Sequence, residues 1–105
     1  MGGRLYYLFL IHLAQEKKEA LKQYEHKIKP LLERHGGRFE MILTPHLGDN
    51  EIPGEIHLIS MPDQESWVAF KEDPEVQSQR AERADIIKRV EMIPCWQYDL
   101  KEYFT

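Results

Sequence analysis

A histidine and two glutamates interrupt apolar segments of this chain, a combination that could move protons. His57 lies in EIHLISM, Glu40 in RFEMIL and Glu91 in KRVEMIPCW. A histidine beside a carboxylate can act as a general base or acid because its pKa lies near neutrality. We therefore take His57 as a candidate base and Glu40 as the carboxylate that orients it. The alternative is a hydrogen-bonded structural histidine at a subunit contact, because buried polar groups are usually satisfied in this way.

The carboxylates and arginines allow a second kind of chemistry, the binding of an acidic ligand. Glu40 and Glu91 could share a proton as a pair, or each could form a salt bridge with Arg89 or with a partner chain. Arg83 lies on the inward side of a predicted helix, where it could anchor an anion through two parallel hydrogen bonds or simply cover apolar surface. The predicted ligand-binding residues are Tyr6, His12, Arg83, Arg89 and Glu91.

The remaining histidines and the cysteine give no metal or cofactor motif. His12 and His46 fall near the ends of predicted strands, but no two histidines have the spacing of a helix-face or Cys-His zinc site. We predict neither a metal nor a cofactor. Cys95 is the single cysteine, which excludes an internal disulfide framework and favours a reducing, cytoplasmic setting.

Length and charge restrict the function further. The 105 residues are enough for one domain, residues 1–105. The net charge of −4 and the lack of a basic stripe with interleaved aromatics give no reason to expect nucleic acid. No apolar run is long enough to span a membrane.

The elements that must position these side chains follow from the hydrophobic periodicity. Uninterrupted apolar runs predict strands at 5–13, 38–46, 55–61 and 88–96, with a turn-rich connection at 46–54. Helical spacing predicts one helix from about 15 to 35, ended by Gly36-Gly37. A second helical region starts after Asp63, restarts at Asp73-Pro74 and ends near Asp85. This order predicts an α+β, ferredoxin-like βαββαβ fold with an antiparallel sheet and both helices on one face.

Alternation along each strand assigns side chains to the two faces of the sheet. One set is almost wholly apolar and is expected to face the helices. The other set mixes aliphatic with ionisable groups, so it is too apolar for water and too charged for a core. We expect a second subunit to cover this mixed face and to leave a polar cavity. The helix-facing set is Leu5, Tyr7, Phe9, Ile11, Leu13, Phe39, Met41, Leu43, Ile56, Leu58, Ser60, Val90, Met92, Pro94 and Trp96; the mixed set is Tyr6, Leu8, Leu10, His12, Glu40, Ile42, Thr44, His46, Glu55, His57, Ile59, Met61, Arg89, Glu91, Ile93 and Cys95.

Several motifs resemble a known superfamily. The segments PLLERHGGRFE, IHLISMPDQESWVAF and EDPEVQSQRAERAD, in this order of elements, are similar to the dimeric α/β-barrel proteins. Within that superfamily the chain most resembles the small domain-of-unknown-function family 1330. The resemblance implies a ferredoxin-like fold and a homodimer formed through the sheet face. The wider superfamily includes cofactor-independent monooxygenases, small isomerases and cyclases, haem-binding enzymes and ligand-sensing modules.

Three functional hypotheses remain from the sequence. The first is a small-molecule-binding dimer of undefined activity, with a pocket between the sheet and the second helical region. The second is a cofactor-independent monooxygenase or isomerase acting on an acidic aromatic or enolic substrate, with His57 as base, Glu40 as its orienter, and Arg83 or Tyr6 as the anion anchor. The third is a structural or interaction protein without catalysis.

Overall fold

The structure, a computed structural model, describes residues 3–46 and 52–105. Residues 47–51 of the predicted turn-rich connection lie outside this range. None of the helices within the described ranges is both long and apolar enough to cross a membrane. The elements in chain order are β1 (Leu5–Leu13), α1 (Lys18–Arg34), β2 (Arg38–Leu43), β3 (Glu55–Met61), α2 (Gln64–Glu72), α3 (Pro74–Gln77), α4 (Arg80–Ile86), β4 (Ile87–Trp96) and α5 (Leu100–Tyr103).

The four strands form one antiparallel sheet in the order β2-β3-β1-β4. Helices α1, α2 and α4 pack on one face of this sheet, which we call the helix face; the opposite side is the open face. The predicted α+β, ferredoxin-like arrangement is confirmed. The buried core lies between the helix face and the helices, and its members are Leu5, Tyr7, Ile11, Leu21, Tyr24, Ile28, Leu31, Leu32, Ile59, Met61, Trp67, Phe70 and Ile86.

Helix α1 ends where the sequence predicts. Gly36 has a φ of +82°, a left-handed conformation that glycine adopts without a Cβ clash. The Gly37 N–H donates to the Leu32 carbonyl. A Cβ on Gly37 would lie 2.6 Å from both Leu32 Cγ and Met61 Sδ, so only glycine lets the chain turn this close to the core.

The second helical region begins and breaks at two aspartates. The Asp63 side chain accepts a hydrogen bond from the Ser66 N–H at the start of α2. Asp73 accepts from the Glu75 N–H at the start of α3, with Pro74 in the first helical position. Both caps confirm the predicted boundaries. A further break at Ser78 separates α3 from α4, which the sequence pattern does not predict.

The face predicted for β3 is wrong. Residues opposite one another in an antiparallel pair share a face, and β3 places His57 opposite Phe9, Ile59 opposite Tyr7, and Met61 opposite Leu5. His57 and the residues at its parity therefore face the helices. Ile56, Leu58 and Ser60 belong to the open face. Each parity of β3 carries both apolar and polar side chains, so alternation alone could not distinguish the two faces.

The faces predicted for β2 are wrong beyond Phe39, because a bulge interrupts the strand. Phe39 pairs with Ile59, but the next pair is Met41 with Leu58, so Glu40 is an extra residue with no cross-strand partner. A bulge reverses the alternation beyond it. As a result Met41 and Leu43 lie on the open face, where they are exposed, and Ile42 lies on the helix face opposite His57. In β4 the predicted parity holds, with Met92 opposite Phe9 and Glu91 opposite Leu10.

Candidate functional site

A cleft of about 450 Å³ opens between the helix face and helices α1, α2 and α4. Its walls are mainly apolar, and polar side chains enter it from four elements: Glu25 from α1, His57 from β3, Lys71 from α2, and Arg80 and Arg83 from α4. Mostly apolar concave sites with a few converging polar groups are typical of small-molecule binding. The lining residues are Phe9, Ile11, Glu25, Ile28, His57, Ile59, Trp67, Phe70, Lys71, Val76, Arg80, Arg83, Ala84, Ile87, Val90 and Met92.

His57 lies at the floor of the cleft between two carboxylates. Its side chain is only 2% exposed. Nε2 lies 2.7 Å from Glu55 Oε1, a hydrogen-bond distance, and Nδ1 lies 3.8 Å from Glu25 Oε2. The edge of the ring packs against Phe39, with the ring centroids 6.1 Å apart. Glu55 therefore lies within hydrogen-bond distance of one nitrogen of His57, and Glu25 lies beside the other nitrogen, beyond hydrogen-bond distance.

The pKa of Glu25 is raised well above the usual value for a glutamate. It follows Leu21 by four residues and precedes Ile28 by three, so it occupies the apolar stripe of α1 that faces the sheet. Burial raises its pKa from 4.5 to about 7; nearby Arg83 lowers the value and Glu55 raises it. Desolvation disfavours the charged form of a carboxylate. At neutral pH both the protonated and ionised forms of Glu25 are therefore populated.

Positive charges line the other side of the cleft. Arg80 and Arg83 enter from α4, and Lys71 enters from the end of α2, where its Nζ lies 5.6 Å from the centre of the Trp67 ring. Trp67 stacks on Tyr7 and on Phe70, with ring centroids 4.5 Å and 5.6 Å apart. The cleft thus combines aromatic side chains, cationic side chains and a histidine flanked by two carboxylates.

The predicted pairing of His57 with Glu40 is not formed. Glu40 sits at the bulge of β2, where its nearest charged neighbour is Arg38, with Glu40 Oε1 3.9 Å from Arg38 Nε. The carboxylates beside His57 are Glu55 and Glu25 instead. Of the predicted site residues, the structure brings His57 and Arg83 together in one cleft.

The other predicted ligand-binding residues lie on the open face. Arg89 Nη2 is 3.2 Å from His12 Nε2, and Glu91 Oε1 is 3.8 Å from His12 and 3.7 Å from Arg89. Tyr6 shares this face, paired with Ser60 and Cys95. Across the described ranges, no three His, Cys, Asp or Glu side chains converge as metal ligands would.

Sequence reasoning missed Glu25 and Glu55, although each had a signal. Glu25 is a carboxylate in the buried stripe of an amphipathic helix, a position that normally carries an apolar residue. Glu55 precedes His57 by two residues, so in a strand both project from the same face. Only the cross-strand register showed that this face is the one beneath α1.

The family of the chain can be decided by comparison with known proteins. The sequence profile of the domain of unknown function DUF1330 matches residues 6–93. The chain belongs to the DUF1330 family. No curated protein matches the sequence significantly.

Solved structures share the fold of this DUF1330 protein at low sequence identity. RPA0582, a protein of unknown function from Rhodopseudomonas palustris, has a TM-score of 0.78 at 18% identity, covering 94% of this chain and 85% of that chain. A putative antibiotic biosynthesis monooxygenase from Nitrosomonas europaea has a TM-score of 0.74 at 18% identity, covering 92% of each chain. A dabb family protein with a ferredoxin-like fold from Mesorhizobium loti has a TM-score of 0.68 at 12% identity, covering 92% of this chain and 99% of that chain. These likenesses establish the ferredoxin-like fold.

Proposed function

We propose that this DUF1330 protein binds a small organic anion with a flat apolar body in the cleft above His57. The observation that carries the proposal is the distribution of polarity within one cavity. Aromatic side chains form one wall, arginines form another, and a histidine with two carboxylates forms the floor. A ligand that satisfies all three surfaces has an aromatic or other planar body, an acidic group and a hydrogen-bonding group.

The aromatic wall provides the apolar part of the binding energy. Trp67 and Phe70 project from α2 toward Phe9 of β1, and the centroids of Trp67 and Phe9 are 6.0 Å apart. Planar ligands gain dispersion and stacking energy on such a surface, about 0.5–1.5 kcal/mol per aromatic pair beyond the burial of area. The aromatic cluster is held on both sides by core residues, so it is preorganised to receive a ligand.

The arginine wall supplies the preference for an anion. Arg83 is half-buried and close enough to the Glu25 carboxyl to lower its pKa. Its guanidinium can form two parallel hydrogen bonds with a carboxylate, and such charge-assisted bonds are roughly twice as strong as neutral ones. Arg80, one turn earlier in α4, adds a second positive charge to the same wall.

Replacing Arg83 by glutamine is expected to weaken the binding of benzoate and of phenylpyruvate about 10- to 100-fold, the value of one charge-assisted hydrogen bond. Trp67 reports occupancy directly, because a ligand on the aromatic wall changes its fluorescence. A Trp96→Phe background removes the signal of the exposed second tryptophan. Titration of both aryl acids against this background gives the dissociation constants.

The control for Arg83 is Arg38→Gln, which removes an arginine from β2 on the open face. It should leave the affinity for both acids unchanged. Equal affinities of the wild type and Arg83→Gln for both acids would show that Arg83 does not anchor the ligand. If neither acid changes Trp67 fluorescence, the anion-binding function is wrong and a structural role is favoured.

We also propose that two copies pack through their open faces. The apolar residues of this face form a contiguous surface of the kind that marks protein interfaces; the most exposed are Met41, Leu43 and Ile93. A second copy suits this surface because it presents the same central aliphatic stripe. It also presents the charged cluster of Arg89 and Glu91, whose opposite charges can pair across a two-fold axis. Because the chain has a single cysteine, we propose a reducing, cytoplasmic location for the dimer.

The open-face interface predicts a specific monomer-forming variant. Ile93 is 45% exposed in the isolated chain and pairs with Leu8 at the middle of β1. Ile93→Arg buries two unpaired charges in a symmetric dimer, which should weaken association at least about 30-fold, equivalent to about 2 kcal/mol. Sedimentation equilibrium over a range of protein concentrations measures this change.

Val68→Arg is the matched control for Ile93, because Val68 is similarly exposed but lies on α2. This variant should remain dimeric. A wild-type protein that sediments as a 12.5 kDa particle at micromolar concentration would refute the interface.

A further inference from the structure

We propose that the cleft catalyses a proton shift in an enolisable organic anion, with Glu25 as the group that accepts and returns the proton. This inference rests on the anion-binding function and adds a reaction to it. It assigns the catalytic proton transfer to a residue of α1, and it assigns His57 the part of a positioning residue.

Glu25 is placed where a base for a cleft-bound ligand must be. Its carboxyl lies at the cleft, with the side chain 17% exposed, so it can reach a ligand while it remains shielded from bulk water. Helix α4 contributes Arg83 to the same cleft, close enough to Glu25 to lower its pKa. A ligand whose acidic group binds Arg83 therefore places its neighbouring carbon atoms near Glu25.

His57 lies beside Glu25 at the floor of the cleft. Its Nε2 lies 2.7 Å from Glu55 Oε1, so the ring donates the Nε2 proton to that carboxylate. In the neutral imidazole the other nitrogen, Nδ1, is then an acceptor, and it faces Glu25 Oε2 at 3.8 Å. When Glu25 takes up a proton, a small movement lets it donate to Nδ1. The pair Glu55 and His57 thus stabilises the protonated form of Glu25.

The proposed step balances without an oxidant or any other reactant. The Glu25 carboxylate removes a proton from the carbon next to a ligand carbonyl group. The electron pair of the C–H bond forms a carbon–carbon double bond, and the π pair of the carbonyl group moves to its oxygen. The resulting enolate is stabilised by the positive charge of Arg83. Protonated Glu25 then returns the proton either to the same carbon or to another atom of the enolate. The first route gives exchange with solvent once the proton on Glu25 has been replaced by one from water, and the second gives an isomer.

The environment of Glu25 suits this role. A pKa of about 7 keeps the carboxyl poised between its two forms at neutral pH, as general acid–base catalysis requires. Fold stability would favour an apolar residue at position 25, because it would continue the apolar stripe of α1 without the free-energy cost of burying a carboxylate. The charged and titratable groups that face Glu25 come from three elements: His57 and Glu55 from β3, Arg80 and Arg83 from α4, and Lys71 from α2.

Deuterium exchange into phenylpyruvate tests the inference. In D₂O buffer, the wild-type protein should accelerate the loss of the methylene proton signal in NMR spectra at least about 100-fold over buffer, the usual contribution of a positioned base. Glu25→Gln should return the rate to that of buffer while benzoate, read from Trp67 fluorescence, still binds. Glu33→Gln, on the exposed side of α1, should exchange phenylpyruvate at the wild-type rate.

The pH profile separates a positioning role of His57 from a structural one. The wild-type exchange rate should rise with pH as Glu25 ionises, with a midpoint near 7. His57→Gln keeps the base but removes the imidazole, so it should move this midpoint. An unmoved midpoint would overturn the role of His57.

The two proposals fail in different ways. Binding of both acids without accelerated exchange overturns the proton shift and leaves the anion site intact. Exchange that survives Glu25→Gln overturns the assignment of Glu25. Absence of any binding overturns both proposals together.

Discussion

Replacing Glu25 by glutamine is expected to increase the free energy of unfolding by about 3 kcal/mol at pH 8. The folded protein raises the pKa of Glu25 from 4.5 to about 7, and each pKa unit corresponds to about 1.4 kcal/mol. Above pH 7 the folded state must therefore hold an ionised carboxylate in a largely apolar site. Glutamine has a similar shape and no charge, so it avoids this cost.

The sign of the pH dependence follows from proton binding. Between about pH 4.5 and 7 the folded state retains a proton on Glu25 that the unfolded chain has already released. The stability of the wild type should therefore fall as the pH rises through this window and level off above it. The advantage of Glu25→Gln should be large at pH 8 and nearly absent at pH 4.5.

Urea unfolding of both proteins at pH 4.5, 6 and 8 measures this difference. All samples need the same protomer concentration, because the proposed dimer would make the apparent stability depend on it. Glu33→Gln is the matched control, since Glu33 projects from α1 into solvent; its change should stay within about 0.5 kcal/mol at every pH. A stability gain that does not vary with pH would mean that Glu25 titrates normally. Together with lost exchange activity, the expected gain would show that the protein sacrifices stability to keep this carboxylate.

Replacing Trp67 by alanine is expected to have the largest destabilising effect, about 3–5 kcal/mol, the range found for aromatic deletions in protein cores. Trp67 is 8% exposed and contacts the rings of Tyr7, Phe9 and Phe70. Its removal leaves a cavity that the surrounding strand and helix cannot fill without moving. The variant should also lose affinity for aryl acids, because the stacking wall is gone.

The midpoint of urea unfolding and the melting temperature, again at a fixed protomer concentration, measure the loss at Trp67. Val68→Ala is the neighbouring control: its side chain is on the outer side of α2 and should contribute less than about 1 kcal/mol. A Trp67→Ala protein as stable as Val68→Ala would show that the aromatic cluster is peripheral. Trp67→Phe, which keeps an aromatic ring, should recover part of both the stability and the binding.

Local signals in the sequence were sufficient for the order of the four strands and for three helix boundaries, but β2 ends at Leu43 rather than at residue 46 and the pattern did not predict α5. Gly36-Gly37 and the aspartates at 63 and 73 act within one turn of chain, and the structure confirms each of them as a boundary. Such signals are reliable because the capping groups and the backbone they satisfy are neighbours in sequence. The second helical region was predicted with one break and has two, because the residue at the N-cap of α4 is Gln79, which is not a preferred capping residue and makes no side-chain cap hydrogen bond.

The candidate site was predicted only in part, for a reason of geometry. The residue types were recognised in His57 and Arg83, and the structure brings these two together. The carboxylate partner of His57 was predicted wrongly as Glu40, because that choice required knowing which face of β2 Glu40 occupies. One extra residue at the bulge removes Glu40 from the pattern of alternation.

By itself, the sequence determined the ferredoxin-like order of strands and helices, the helix caps and the presence of a titratable group in an apolar strand. The tertiary structure alone decided which face of β3 lies beneath the helices. It thereby decided that Glu25 from α1 lies next to His57 from β3. The physical reason is that the alternation of side chains along a strand defines two faces but does not show which face packs against the helices. That choice depends on the register between β1 and β3, which is set by packing between residues about fifty positions apart.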